Sequence, residues 1–245
     1  MTEHNRINCI RKSEADSHLR VYSEHELFDE GSWLARPVKT VMELLPYFAA
    51  YPSIRVLDLG CGVGRNSIPI AKAFSHIPCI VDCVDILPYA IKKLRANAEK
   101  HGIGDVIQGF ACSIEDFAVE PDTYDLVIAV SALEHICSYD AFRLKLRELH
   151  AGVRAGGIVC LIISTDIAET DSATGNKLEP MFELNFSAQD LLQLLKTQFF
   201  DFSFEKETVV QQHYTIPREK MQAELTSQVC TYVMYKKGTN HETSN

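Results

Sequence analysis

The segment VLDLGCGVGRNS, residues Val56–Ser67, limits the possible fold more than any other part of the sequence. An apolar run leads to the acid Asp58, and glycines then stand at Gly60, Gly62 and Gly64 before a helical pattern begins. Glycines let the backbone turn sharply after a strand and approach a ligand closely, and a helix N-terminus offers unpaired N–H groups. The segment therefore predicts a strand, a ligand-binding loop and a helix in succession.

Short apolar runs alternate with helical patterns on both sides of this segment. Strands are predicted at residues 55–59, 79–84, 106–111, 124–130 and 157–164, and helices at residues 38–48, 66–74, 88–101 and 139–153. Such alternation is typical of a parallel sheet with helices on both faces. The sequence therefore predicts an α/β fold.

The two ends of the chain have different patterns. Residues 1–37 lack a clean period and are predicted to form a loose N-terminal arm that acts as a lid, and residues 38–237 form the single domain. After a polar loop and a helix that follows Ser187, strand-like runs at 200–207 and 228–236 predict an antiparallel hairpin at the sheet edge. Residues 238–245 are predicted to be a disordered tail.

Composition excludes several classes of partner. The net charge of -9 opposes non-specific binding to nucleic acid or to anionic membranes. No apolar run approaches the ~18 residues of a membrane span, and the polar N-terminus predicts a cytoplasmic protein. The 8 cysteines include no CxxC pair and no closely spaced set of Cys and His, so they predict reduced core residues and no metal site. The oligomeric state is left open.

The letters D-L-G-C-G-V-G resemble the first motif of class I S-adenosylmethionine-dependent methyltransferases. The resemblance implies a Rossmann-like fold with a seven-stranded, mostly parallel sheet, S-adenosylmethionine as the cofactor, and a small-molecule methyl acceptor. A nicotinamide fingerprint needs glycine where Arg65 stands. By resemblance, the residues around the methionine half of the cofactor are Asp58, Gly60, Cys61, Gly62 and Gly64.

The resemblance continues at the ends of the next three strands. Asp85 takes the place of the acid that binds the ribose, because a carboxylate accepts hydrogen bonds from both ribose hydroxyls. Ile86 beside it is expected to cover the adenine. The other residues that the resemblance places against the cofactor are Ser113, Ile114, Val130 and Ser131.

The loop that continues to Glu134 and His135 resembles the place where cofactor and acceptor meet. Methyl transfer is a displacement at a sulfonium carbon, so it needs alignment and desolvation, with a base only where the acceptor carries a proton. His135 is a candidate base that would also touch the cofactor, with a structural histidine as the alternative, and Glu134 is placed on the substrate side.

The letters G-R-N-S and the C-terminal third resemble the bacterial tellurite-resistance methyltransferases more closely. This resemblance places Asn66 beside the cofactor, Phe182 in a lid formed by residues 166–186, and His213 as a second tentative catalytic residue. In the N-terminal arm, Tyr22 and Trp33 are lid candidates, with core packing as the alternative for Trp33.

Arg36 completes the predicted cofactor site. Its guanidinium suits a two-point ion pair with the methionine carboxylate, and a surface arginine is the alternative. Two other functions stay open at this point: a protein that binds S-adenosylmethionine as a sensor or scaffold without catalysis, and nicotinamide-dependent redox chemistry. The acceptor atom is not fixed by the sequence, because one scaffold serves many reactions.

Overall fold

The computed structural model describes residues 3–218 and 221–238. Its helices are α1 (Glu3–Glu24), α2 (Lys39–Leu44), α3 (Ser67–Ala73), α4 (Pro88–Lys100), α5 (Tyr139–Gly152) and α6 (Ala188–Gln198). Its strands are β1 (Ile54–Leu59), β2 (Cys79–Asp85), β3 (Ile107–Ala111), β4 (Tyr124–Val130), β5 (Val153–Asp171), β6 (Lys177–Leu178), β7 (Phe202–Arg218) and β8 (Met221–Lys236). Short 3-10 turns cover Trp33–Ala35, Leu45–Phe48 and Leu133–His135.

One sheet with the strand order β3-β2-β1-β4-β5-β8-β7 runs through the molecule. Strands β1 to β5 are parallel, and β8 lies antiparallel between β5 and β7. The central strands are buried on both faces, which explains their continuous apolar runs. The Rossmann-like α/β fold that the sequence predicts is confirmed, with an eighth strand, the short β6, beside β5.

Local side-chain chemistry fixes where the helices begin. The hydroxyl of Ser138 accepts the amide of Ala141 at the start of α5, and the hydroxyl of Ser187 accepts the amide of Asp190 at the start of α6. Helix α2 gives way to a 3-10 turn where Pro46 stands, so the predicted helix at 38–48 is shorter than expected.

The antiparallel part of the sheet is longer than predicted. Strand β5 continues to Asp171, so the start of the predicted polar loop is strand, and residues 168–171 pair with residues 223–226 of β8. Strands β7 and β8 contain 17 and 16 residues, and the predicted strands cover only the ends farthest from the turn. The polar middle of the hairpin gives no apolar signal, yet it is held by a continuous backbone ladder. The hairpin and the end of β5 therefore extend beyond the carboxyl ends of the parallel strands.

The prediction of a loose N-terminal arm is wrong, because α1 is a helix of 22 residues. Its buried side chains include only a few apolar groups, such as Ile10 and Tyr22, so the sequence shows little helical period. Polar bonds hold α1 on the domain: Arg11 pairs with Glu115 at 2.5 Å, and Lys93 donates to the backbone oxygen of Tyr22.

Two expectations remain: the disordered C-terminal tail and the absence of a membrane-spanning segment. The predicted tail at 238–245 lies, apart from Gly238, outside the described residues. Among the described helices, none combines the length and the apolar character that crossing a membrane requires.

Candidate active site

A cavity of about 650 Å³ lies at the carboxyl ends of the parallel strands. Open α/β sheets bind ligands at this edge. Its floor is the glycine loop and the ends of β2, β3 and β4; helix α1 covers it, and the hairpin and the segment before α6 close its far side. The cavity thus has an inner part over the glycine loop and an outer part, which we call the outer lobe, toward the hairpin.

The glycine loop has no room for side chains at two positions. A Cβ on Gly60 would lie 2.4 Å from the Cβ of Ala132, and a Cβ on Gly62 would lie 2.8 Å from the hydroxyl oxygen of Tyr22. Both glycines also have positive φ, +74° and +54°. The loop is therefore a bare backbone surface that faces the cavity from below α1.

Asp85 forms the end of β2 and lines this inner part. Its Oδ2 accepts the amide of Gly62 and its Oδ1 accepts the amide of Leu87, both at 2.9 Å. Each carboxylate oxygen has a further lone pair, so the fixed carboxylate still accepts hydrogen bonds from a ligand. Burial raises the pKa of Asp85 above its ordinary value, against the two backbone hydrogen bonds, which lower it.

Asp58 and Gly64 do not line the cavity, although the sequence places them against the cofactor. Asp58 is buried behind the loop, where the hydroxyl of Ser67 donates to it. Burial raises the pKa of Asp58 to about 7, despite this hydrogen bond. Gly64 faces Leu94 and Ile68, so both residues support the loop from the core side.

Among the candidates from the N-terminal part of the chain, some line the cavity and Arg36 does not. Trp33 and Tyr22 line the cavity, and their rings meet edge to face at 5.9 Å. The guanidinium of Arg65 lies 5.1 Å from the centre of the Trp33 ring, a cation–π distance. Arg36 is not among the cavity-lining residues. Asn66 does line it, and its side-chain oxygen accepts the amide of Val38 at 2.9 Å.

The remaining cofactor candidates all lie along the inner part. These residues are Cys61, Ile86, Ser113, Ile114, Val130 and Ser131. The hydroxyl of Ser113 donates to Asp116 at 2.6 Å, which fixes its direction.

His135 stands between the inner part and the outer lobe. Its Nδ1 lies 2.9 Å from Oε2 of Glu183 and 3.2 Å from Oε2 of Glu14, and its ring stacks on Phe182 at 5.3 Å. Burial lowers the pKa of His135, but the hydrogen bond with Glu183 and the charges of Glu14 and Glu134 outweigh it and raise the pKa to about 9. In this arrangement the imidazole holds its proton at neutral pH, which disfavours the role of general base.

Glu134, the neighbour of His135, connects three segments. Its Oε1 accepts the amide of Ser164 at 3.0 Å, and its backbone oxygen accepts the amide of Leu184. The side chain is fully buried, and this burial raises the pKa of Glu134. Glu134 therefore fixes the turn that carries His135 against β5 and against the segment before α6.

The structure places His213 away from the cavity. Its side chain is 62% exposed and pairs with Glu224 at 2.7 Å, whereas Gln212 and Tyr214 line the outer lobe. Side chains alternate between the two faces of a strand, so the neighbours of a cavity residue on β7 point outward. The tentative catalytic role of His213 therefore has no support in this geometry.

Sequence reasoning missed most of the outer lobe. Its walls include residues of α1, the segment before α6, and the hairpin: Ile10, Glu14, His18, Met181, Gln212, Tyr214, Ile216 and Leu225. If a strand is assumed at this position, the alternation of Gln212, Tyr214 and Ile216 predicts that these three side chains share one face of it.

Residues 56–157 match the family model of a methyltransferase domain. Curated relatives resemble the same part of the chain. A ubiquinone biosynthesis O-methyltransferase of Methylocella silvestris is 34% identical over 106 residues, which is 43% of this chain and 38% of that protein. A sterol 24-C-methyltransferase of Gibberella zeae is 26% identical over 136 residues, 54% of this chain and 34% of that protein. The chain thus matches well under half the length of these relatives.

Solved structures extend the likeness to most of the fold. TehB from Haemophilus influenzae superposes with a TM-score of 0.57 at 19% identity, covering 80% of this chain and 62% of that chain. The [4+2]-cyclase SpnF gives 0.57 at 13% identity, covering 86% and 85%. At these identities the likeness concerns the fold alone. Together with the domain match, it supports a class I methyltransferase fold with S-adenosylmethionine as cofactor, whereas the tellurite-resistance resemblance is a matter of fold only.

Proposed function

We propose that this chain transfers the methyl group of S-adenosylmethionine to a small molecule bound in the outer lobe. The observation that carries the proposal is a single cavity with two different ends. The glycine loop and Asp85 lie at one end, and the other end, beside His135, is walled by side chains of α1 and the hairpin.

The inner part fits the cofactor. The loop at Gly60 and Gly62 offers backbone where a Cβ would collide, and a methionine half that lies against it meets only main chain. The carboxylate of Asp85 is held by two amides in position for the ribose hydroxyls, and Ile86 and Ile114 supply apolar surface for the adenine. When bound, the cofactor supplies a methyl group on a positively charged sulfur.

The outer lobe supports an acceptor that is a small, partly apolar molecule. Ile10, Met181, Phe182 and Leu225 give it apolar walls, and its polar groups gather around His135. Helix α1 covers the cavity, so the lobe suits a molecule that is enclosed and not a segment of a long polymer. The names of the curated relatives, ubiquinone and sterol methyltransferases, agree with an acceptor of this kind.

The residues of this chain do the work of alignment and desolvation. Helix α1 and the hairpin exclude water, which strengthens the electrostatic interactions inside. The post-β4 turn, fixed by Glu134, sets the distance between the two ends of the cavity. Because the imidazole of His135 keeps its proton, we assign it to positioning the acceptor, not to removing an acceptor proton.

Calorimetric titration with S-adenosylhomocysteine, S-adenosylmethionine and NADH tests the cofactor part. We expect binding of the first two and a loss of more than about tenfold in affinity in Asp85→Ala, since two ribose hydrogen bonds are removed. Asp105→Ala, which changes an exposed acid before β3, serves as the matched control and is expected to bind normally. Binding of NADH alone contradicts the proposal.

Methyl transfer needs its own measurement, because the same fold occurs in a protein described as a cyclase. Production of S-adenosylhomocysteine is followed while the protein is offered phenols, thiols, amines and oxyanions in turn. Turnover with one class establishes transfer. Tight cofactor binding without turnover on any class supports the alternative of a non-catalytic sensor.

A further inference from the structure

Three potential metal ligands meet at the boundary between the two parts of the cavity. Glu14 comes from α1, His135 from the turn after β4, and Glu183 from the segment before α6. One ligand atom from each of the three lies within 4.8 Å of the other two. They are far apart in the sequence, which explains why the spacing of residues predicts no metal site.

The separations suit the coordination sphere of a metal ion. Oxygen and nitrogen ligands lie about 2.0–2.2 Å from a divalent transition metal, so adjacent ligands are about 2.8–3.1 Å apart in octahedral geometry and about 3.3–3.6 Å apart in tetrahedral geometry. The Nδ1 of His135 lies 2.9 Å from the oxygen of Glu183 and 3.2 Å from the oxygen of Glu14. The two separations from His135 therefore match adjacent ligands, and the oxygens of Glu14 and Glu183 lie within 4.8 Å of each other.

Two buried oxygens next to this cluster lack a hydrogen bond within the part of the chain that the structure describes. The side chain of Glu183 is completely buried, and its Oε1 has no hydrogen-bond partner among the described residues; the same holds for Oε2 of the buried Glu134. The nearest cation to Glu183 Oε1 is the Nε of Arg11, at 3.5 Å and without hydrogen-bond geometry. Nε of Arg11 also lacks a hydrogen-bond partner among the described residues, so this ion pair is loose, and both carboxylate oxygens can accept a further positive group.

The charges around the cluster point the same way. The carboxylates are those of Glu14, Glu115, Glu134 and Glu183; the guanidinium of Arg11 faces Glu115 and Glu183, and the imidazoles of His18 and His135 lie beside Glu14. Negative charge is therefore in excess among side chains that are buried or partly buried, where water screens an added cation less than at the surface.

We propose that Glu14, His135 and Glu183 bind one first-row divalent transition-metal ion, such as Mn²⁺ or Zn²⁺. Two carboxylates and one imidazole form a mixed oxygen and nitrogen set that both ions accept, and the ion takes the place of the proton on Nδ1 of His135, which is released to solvent. The ion joins α1 to the core, so it fastens the lid over the cofactor site. Its open positions face the outer lobe, where an acceptor oxygen completes the coordination; this last role rests on the proposed function, whereas metal binding itself does not.

Titration of the chelator-treated protein with MnCl₂, without cofactor, tests the site. The electron paramagnetic resonance signal of free Mn²⁺ reports how much ion is bound, and the titration is repeated with ZnCl₂ by calorimetry. We expect one equivalent per chain, with affinity more than about tenfold weaker in Glu14→Gln and in Glu183→Gln. Glu224→Gln, which changes an acid paired with a histidine outside the cavity, is the matched control and is expected to bind normally.

Two results overturn the inference. One is the absence of binding of both ions to the unaltered protein. The other is binding that is equally strong in both glutamate variants, which leaves the cluster as an ion pair between imidazolium and two carboxylates. Glu14→Gln lies on the partly exposed α1, so its fold is checked by circular dichroism and its cofactor site by S-adenosylhomocysteine binding. Normal cofactor binding with lost Mn²⁺ binding separates the metal site from the methyltransferase proposal.

Discussion

The hydroxyl oxygen of Tyr22 lies 2.8 Å from the position that a Cβ would occupy on Gly62. Helix α1 and the glycine loop therefore touch at a point where only glycine fits. The amide of the same glycine donates to Asp85, so one residue joins the lid, the loop and the carboxylate that we assign to the ribose.

Gly62→Ala is expected to weaken S-adenosylhomocysteine binding by more than about tenfold. The added methyl pushes Tyr22 away and strains a backbone at φ +54°, which alone costs about 1 kcal/mol of stability. Calorimetry measures the affinity and urea unfolding the stability. The second change Tyr22→Phe removes the colliding oxygen, so the double variant is expected to recover part of the affinity.

Gly102→Ala is the control for backbone strain. Gly102 has φ +70° and nothing within 4 Å of its Cβ position. We expect a similar loss of stability with unchanged cofactor affinity. Equal effects of both substitutions on affinity would show that strain, not contact with the lid, governs the loop.

The stability of the protein is expected to depend on pH through Asp58. Burial raises the pKa of Asp58 to about 7 in the folded protein, whereas the unfolded chain has the ordinary value of about 3.9. Between these values the folded state holds a proton that the unfolded state releases. The contribution of Asp58 to the free energy of unfolding therefore falls as pH rises from about 4 to 7, and is constant outside this window.

Urea unfolding of the wild type and of Asp58→Asn at pH 5 and pH 8 measures this effect. The stability of the variant relative to the wild type is expected to be on the order of 1 kcal/mol or more greater at pH 8 than at pH 5. Asp105→Asn, at an exposed acid, provides the comparison. A difference between wild type and Asp58→Asn that does not change with pH refutes the assignment.

The sequence predicts the parallel half of the molecule because each strand, loop and helix there is marked by a pattern in its own short segment. Apolar runs that are buried on both faces mark the strands, and the acid after β2 and the glycine loop lie where such strands end. Helix α1 is different, because much of its inward side faces the cavity and not the packed core, and it shows little apolar period. The meeting of Glu14, His135 and Glu183 depends on how three distant segments pack, which no local pattern encodes.

The hairpin is expected to act on the acceptor through one face of β7 only. Tyr214 lines the outer lobe and His213 faces away, paired with Glu224. Tyr214→Ala is expected to raise the KM for the acceptor severalfold without changing S-adenosylhomocysteine affinity. His213→Ala is expected to change neither the KM nor the affinity. The KM is measured by steady-state kinetics with an acceptor found by the screen, and the affinity by calorimetry. A larger effect of His213→Ala would restore its predicted catalytic role.

The ion pairs that hold α1 are expected to control access to the cofactor site. Arg11 pairs with Glu115 on one side and lies 3.5 Å from Glu183 on the other, so Arg11→Met removes the charge that joins the helix to both. Trp33, the only tryptophan, touches His18 and Tyr22 of α1 and is 43% exposed, so its fluorescence reports the position of the lid. Acrylamide is expected to quench Trp33 more strongly in Arg11→Met than in the wild type.

The effect of salt and of cofactor completes this prediction. Arg11 and Glu115 are partly buried, so salt screens their pair only in part, and raising the ionic strength is expected to increase quenching slightly in the wild type and to change the variant less. Bound S-adenosylhomocysteine holds the lid closed and reduces quenching in both. Lys39→Met changes an exposed lysine of α2 that pairs with Glu43 and is the control. Quenching that is the same in all three proteins shows that α1 is fixed by its apolar contacts, and that the cofactor enters by another path.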